Sequence, residues 1–415
     1  MESIIISAET ILPVSSPPLG NGAVLVENGK IREVGKADEI KKRHRGVREL
    51  DLGRGILLPG FINGHVHLEL GWIKRKLEAF DGFTGWLEQI VTLKRDGVSD
   101  EELVRSVEDG ISSLIKSGVT TVGEISSYGG IDKPILGKSG LRTILFREVV
   151  DSNEEITDFS TLEKSALFEE RLFAHAPYSC SPELLQKVIE SHGENGTPFG
   201  MHLAESPDEV GFVRCEENGF EKKIFPLIGK PPFRRPSADS PVSYAKRIGL
   251  LDNTKITAIH MVQVSESEAE EMRGRGAGII LCPRSNMFLQ VGSPPVGYYA
   301  DNERLGLGTD GLSSNYNLDY FEELRFLHLL LSQAVGGSAA YKSVYAATLG
   351  GARALFIEDR VGSIEPGKEA DLIFVDPENE AADPYLSVIS SDGCNLGLVM
   401  VGGCILYSRH GSPVK

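Results

Sequence analysis

The chain has 415 residues, five cysteines and a formal net charge of -16. That length accommodates one large domain or two to three smaller ones, and so acidic a surface repels phosphate backbones and argues against nucleic-acid binding. The scattered cysteines form no Cys-x-x-Cys pair, no basic segment precedes an apolar run at the start, and no apolar stretch reaches ~18 residues, so a cytoplasmic protein without membrane association is expected.

In chain order, residues 1 to 57 read as short strands. Ile4-Ile5-Ile6, Ala23-Val24-Leu25-Val26 and Lys30-Ile31-Arg32-Glu33-Val34 are β-like, with Asn28-Gly29 as a hairpin turn. From about residue 58 the pattern alternates strand with helix. The run before His65 opens a count of eight strands. Val119–Val122, Arg142–Phe146, Arg171–Ala174, Pro198–Met201, Ile256–Ile259, Gly278–Leu281 and Leu305–Gly308 complete it. Glu101 to Lys116 carries Leu103, Val107, Ile111, Leu114 and Ile115 near helical spacing, with Ser99 as its cap. Residues 218 to 243 break the rhythm with a basic, proline-rich loop, read as an excursion after the fifth strand, either near a substrate mouth or on the surface. Near the C-terminal end, Ala370–Val375 and Gly397–Val401 are again strand-like.

These signals predict an α/β chain. Residues 58-359 form a (β/α)8 TIM barrel, and residues 1-57 and 360-415 pair into a small composite β-sandwich domain. A doubly wound open sheet is the rival. It is disfavoured because the chemistry-bearing residues follow many strands and do not gather at one crevice.

In such a barrel the strand C-termini converge on one rim. His65 and His67 end the first strand, and the alternation of side chains turns both to the same side. His175 ends strand four, His202 strand five, His260 strand six and Asp310 strand eight. His65, His67, His202 and Asp310 suit one divalent metal, with zinc expected and iron, cobalt or manganese as alternatives. Glu205, just past its strand end, is placed to move protons, His260 to orient the attacking or leaving group, and Asp310 to accept a proton as well as bind metal. A single buried histidine is ordinarily a core residue; five histidines and an aspartate at successive strand ends are not explained by packing. His44, His192, His328 and His410 fall in helical or terminal context and are read as structural. Gly137-Lys138-Ser139 fails as a phosphate loop because Asp132 occupies the place of its first glycine. No nucleophile elbow, His-Glu-x-x-His helix or dinucleotide fingerprint is present.

The PGFINGHVH run, HLAE at 202–205, the histidine after strand six, Gly308-Thr309-Asp310 and the VGSIEPGKEADL tail resemble the amidohydrolase superfamily in its aminohydrolase branch. The likeness covers nearly the whole chain. It implies a metal-dependent barrel with a composite sandwich and hydrolytic deamination of a small aminated heterocycle or nucleoside. Dinuclear members bridge their metals with a lysine on strand four; here Ala174-His175-Ala176-Pro177 stands there, which favours one metal. The resemblance also implies that His175 contacts substrate.

Within that branch the chain looks similar to deaminases of aminodeoxyfutalosine, S-adenosylhomocysteine, methylthioadenosine or adenosine. The basis is Gly64–Leu70, Phe83–Leu87, HLAESPDEV at 202–210 and Cys282-Pro283-Arg284-Ser285-Asn286. Arg284 could grip a substrate carboxylate bidentately, or form a loop salt bridge. Arg95 and Arg147 are further carboxylate candidates, and Trp86 could stack on a base or ribose or simply cover the barrel. The expected reaction releases ammonia from the 6-amino group of an adenine-type nucleoside. Guanine or another heterocycle, a chlorohydrolase or cyclic-amide hydrolase reaction, and a non-catalytic scaffold are the alternatives. A homodimer is left open.

Overall fold

The computed structural model describes residues 3–151, 162–230, 233–235, 237–378 and 381–409. The first part of the chain forms β1 (Ile4–Ile11), β2 (Leu19–Glu27), β3 (Lys30–Lys36), β4 (Arg48–Asp51) and β5 (Ile56–Pro59). Asn28 and Gly29, both at positive φ, make the tight turn that brings Glu27 opposite Lys30.

The next eight strands are β6 (Phe61–Val66), β7 (Val119–Ser126), β8 (Arg142–Val149), β9 (Phe168–Ala174), β10 (Phe199–Leu203), β11 (Ile256–His260), β12 (Gly278–Leu281) and β13 (Leu305–Leu307). All pair in parallel and close into a barrel, with Leu307 of β13 beside Asn63 of β6. Each strand counted in the sequence overlaps one of these eight, with Pro198 and Gly308 lying one residue outside β10 and β13. They are apolar on both faces because each packs inward on the barrel and outward on helices. The Asp100–Lys116 helix shows how the covering layer is specified. Ser99 accepts a hydrogen bond from the Glu102 amide at its start, and Leu103, Val107, Ile111 and Leu114 form its buried stripe.

The last strands, β14 (Leu372–Val375), β15 (Leu396–Val401) and β16 (Cys404–Ser408), join the first five. Hydrogen bonding runs in the order β16-β15-β14-β5-β1-β2-β3, with β4 beside β1, so strands from both parts of the chain share one sheet. Alternation divides its faces. Leu57, Leu372 and Phe374 gather in a core internal to the sheet, whereas Leu58, Ile373 and Val375 join the large core shared with the barrel. A buried fork reinforces the junction. Arg142, at the start of β8, donates from Nε and Nη2 to the two carboxylate oxygens of Asp371 at 2.7 and 3.1 Å. No described helix is long and apolar enough to cross a membrane.

The excursion over 218–243 folds into short helical turns, Phe220–Ile224, Phe225–Ile228 and Pro241–Arg247. The first two stand over the C-terminal rim of the barrel, and the excursion lends Ile224, Phe225, Ile228, Lys230 and Phe233 to a cavity there. Pro231, Pro232 and Pro236 lie outside the described residues, as does His410.

Candidate metal centre and its cavity

Three strand ends build the centre. His65 and His67 leave β6 with ring centroids 4.9 Å apart, and His202 of β10 brings its Nε2 to 3.3 Å from that of His65. One carboxylate oxygen of Asp310, just past β13, lies 3.6 Å from His65 Nε2 and 3.7 Å from His67 Nε2. The backbone is shaped for this convergence. Gly308 lacks the Cβ that would meet His65 at 2.9 Å, and the Asp310 amide donates to the His65 carbonyl. Asn63 and Thr309 bond each other twice across the β6–β13 seam. Ala204, His260, Met261 and Asp310 all hold positive φ, a costly geometry for residues with a Cβ that concentrates at functional sites.

The donor set fits a divalent metal. Burial, followed by neighbouring imidazoles, holds His67 and His202 well below the ordinary histidine range, so both present neutral lone pairs. The Nε2 atoms of His65 and His202 lie 3.3 Å apart. That spacing matches two corners of a tetrahedron whose metal–nitrogen bonds are about 2.0–2.1 Å. Burial alone would raise Asp310, but the hydrogen bond and charge of His65, with His67 and His260 beyond, hold its carboxyl well below its usual range.

Beside these residues, burial and then the carboxylates of Asp310 and Glu209 push Glu205 well above the carboxylate range. Its Oε1 lies 3.4 Å from His260 Nε2. Burial lowers His260 to about 3, so its imidazole is neutral. Asn286 Nδ2 lies 3.0 Å from His260 Nδ1; the amide donates there, which leaves the ring proton on Nε2, facing the site. Ser285 donates to Asp310 Oδ2 at 2.7 Å. Glu209 accepts from the amides of Ala204 and Glu205 at 2.9 and 2.8 Å and so fixes the strand-end loop.

The cavity above these groups holds about 430 Å³ and is mostly apolar, walled by Phe83, Trp86, Ile90, Tyr178, Phe225 and Phe233. His67, His202, Glu205, His260 and Asp310 form its floor, and His175 joins them. The Nδ1 of His175 is 2.6 Å from the Ser179 hydroxyl, and its Nε2 faces Glu148 at 3.8 Å. Trp86 lines the cavity while its Nε1 donates to the Ser313 carbonyl at 2.7 Å.

The three arginines named as carboxylate candidates do not line the cavity. Arg284 is occupied by Glu322 at 2.7 Å, Glu323 at 3.6 Å and the Asn317 side chain, the loop salt bridge that was its alternative. Arg95 is exposed in the last turn of the Gly82–Asp96 helix. Arg147 sits on β8, one residue before the cavity-lining Glu148, so strand alternation sends the two side chains to opposite faces. His44 pairs with Glu33, His192 with the Thr197 carbonyl and His328 with Ser332, and none of the three lines the cavity. The sequence reading passed over Lys94, Glu148, Ser285, Asn286 and Glu209. Lys94 carried a usable signal: it lies eight residues past Trp86, two helical turns along the same face.

Residues 56–406 match the amidohydrolase family, and residues 22–46 match an imidazolonepropionase-like composite domain of bacteria. A 5-methylthioadenosine/S-adenosylhomocysteine deaminase of Moorella thermoacetica is 28% identical, the match covering 99% of this chain and 95% of the relative. A 5'-deoxyadenosine deaminase of Methanobrevibacter smithii is 31% identical over 94% and 89% of the two chains. Among solved structures, the Helicobacter pylori aminofutalosine deaminase in complex with methylthio-coformycin superposes with a TM-score of 0.80 at 24% identity, covering 97% of this chain and 99% of that one. A zinc-bound adenosine deaminase of Xanthomonas campestris gives a TM-score of 0.80 at 24% identity, covering 96% and 92%.

Proposed function

The chain belongs to the amidohydrolase family and is a hydrolase acting on C–N bonds, and from that premise we propose that it releases ammonia from the 6-amino carbon of an adenine-type nucleoside. The observation that carries this reading is the convergence of Glu205, His260 and Asp310 beside the histidine cluster on the floor of one cavity. Burial and neighbouring carboxylates push Glu205 well above the carboxylate range while the surrounding imidazoles hold Asp310 well below it, the arrangement by which one site keeps an acid beside a base.

His65, His67, His202 and Asp310 would hold one divalent metal, zinc by preference. Such an ion supplies a Lewis acid that brings the pKa of water towards ~7. Glu205 gives its proton to the ring nitrogen next to C6, which makes that carbon electrophilic. Asp310 accepts a proton from the attacking water. His260, with its proton on Nε2, donates to the incoming oxygen and holds it in line. The tetrahedral carbon collapses as Asp310 passes its proton to the amino group and the hydroxyl proton returns to Glu205, and ammonia leaves a carbonyl behind. His175 and Trp86 hold the ribose and the substituent beyond it. The apolar walls favour a nucleoside bulky on its 5′ side, such as 6-aminodeoxyfutalosine, over adenosine itself. The relatives named for methylthioadenosine and S-adenosylhomocysteine support a bulky 5′ group, and the one named for 5'-deoxyadenosine supports an apolar one.

The test is ammonia release by metal-loaded protein from adenosine, 5′-deoxyadenosine, methylthioadenosine, S-adenosylhomocysteine, aminodeoxyfutalosine, guanine and a chlorinated triazine. Turnover is expected on adenine nucleosides, fastest with a large 5′ group. Ammonia from none of them, or chloride from the triazine instead, overturns the proposal.

A further inference from the structure

The Gly82–Asp96 helix crosses the mouth of the cavity. Near its start Trp86 bonds the carbonyl of Ser313, beyond β13; near its end Lys94 bonds the Ser127 hydroxyl, beyond β7, at 3.2 Å. Trp86, Ile90 and Lys94 follow one another at four-residue steps and all line the cavity. An apolar stripe therefore ends in an ammonium group.

That ammonium has no carboxylate partner among the described residues. Its contacts are the Ser127 hydroxyl and the face of the Tyr128 ring, 4.7 Å from Nζ to the centroid. Glu69 stands one hydroxyl further off, where it accepts from Ser127 and from the amides of Ser127 and Tyr128. The carboxylates lining the cavity are directed elsewhere: Glu148 faces His175, Asp151 takes the amide and hydroxyl of Ser181, Glu205 faces His260, and Asp310 belongs to the proposed metal set. A half-buried cation against apolar walls is costly without a counter-charge. Hydrogen bonds to Ser127 and a ring face orient Lys94 without neutralising it, so it stays available to an anion that enters the cavity.

We propose that Lys94 is the residue that selects the substrate's charge. It receives a carboxylate carried on an aryl group attached at the 5′ side of the nucleoside, while Trp86 and Ile90 cover the aryl ring. This rests on the nucleoside reading above and deepens it. It also assigns to a lysine the part that the sequence suggested for Arg284.

The experiment uses two probes of equal shape, 5′-deoxyadenosine bearing a 4-carboxyphenyl group at the 5′ position and the matching carboxamide. Both are given to the metal-loaded wild type and to Lys94→Met and Lys94→Arg. Ammonia release yields kcat and KM, and calorimetry yields Kd. A charge-assisted hydrogen bond predicts that the wild type prefers the carboxylate by about 10–10²-fold. Lys94→Met should lose that preference through KM and Kd, and Lys94→Arg should restore part of it. A wild type indifferent to the charge, or a Lys94→Met variant that keeps the preference or weakens both probes equally, overturns the assignment. If neither probe releases ammonia but Lys94→Met abolishes the charge preference in Kd, the deaminase reading fails and the assignment of Lys94 stands.

Discussion

At the scale of single residues, Glu205 and Arg284 make opposite predictions. Glu205 touches His260 and faces the cavity, and it is not among the proposed metal ligands. Glu205→Gln should therefore lower kcat by ~10²–10⁴-fold while bound metal stays at the wild-type level, checked by elemental analysis beside turnover. Arg284 lies beside the buried Glu323 and makes contact with Glu322. Arg284→Ala should cost about 1–3 kcal/mol in urea unfolding, with no effect on the preference for anionic substrates. The histidines and Asp310 were legible because strand ends can be counted in sequence and a parallel barrel sends all of them to one rim. Arg284 was left between two readings because a guanidinium at that rim can turn to the cavity or to the next helix. Glu322 and Glu323, 38 and 39 residues further along the sequence, decide the matter, and no local pattern announces them.

At the scale of elements, the Pro283–Phe288 helix does more than cap β12. Its first turn presents Ser285 to Asp310 and Asn286 to His260, so one short helix aims two groups of the site. Removing the amide frees His260 to take the other tautomer. Asn286→Ala should lower kcat by about 10–100-fold, as loss of orienting partners does at metal sites. A KM that changes little, with metal content preserved, would separate this from general damage. The apolar face of the Gly82–Asp96 helix could be read from its period. Its place across the mouth could not, because that depends on contacts with Ser313, Ser127 and Phe220, which come from three other parts of the chain. The same holds for the 218–243 excursion, whose composition suits a surface loop and whose Phe225 and Phe233 nevertheless face the cavity.

At the scale of the whole molecule, several carboxyls are buried in protonated form. Burial raises Glu209 to about 7 and Glu323 to about 8, and burial with the charge of Asp132 raises Glu69 to about 8. Each keeps a proton in the folded state that the unfolded chain gives up near pH 4.5, so the folded state binds more protons between the two values. Stability must then fall as pH rises through that window. For Glu209 the shift from 4.5 to about 7 corresponds to about 3 kcal/mol lost between pH 4.5 and 7. Urea midpoints of the metal-free protein should drop from pH 5 to pH 8, and Glu209→Gln should flatten part of that slope; a level profile would contradict the assignment. The barrel was legible at this scale because eight apolar runs alternated with helical ones. The sheet was legible as strands, but the order in which early and late strands interleave is a property of the assembled chain.

That interleaving bears on how the protein is made. One side of β5 is satisfied at once by β1, but its other side waits for β14, about 300 residues later. On a ribosome adding ~5–20 residues per second, that edge stays bare for about 15–60 s. Naked β-edges recruit stray strands, so the nascent chain should need chaperone cover until its last strands emerge.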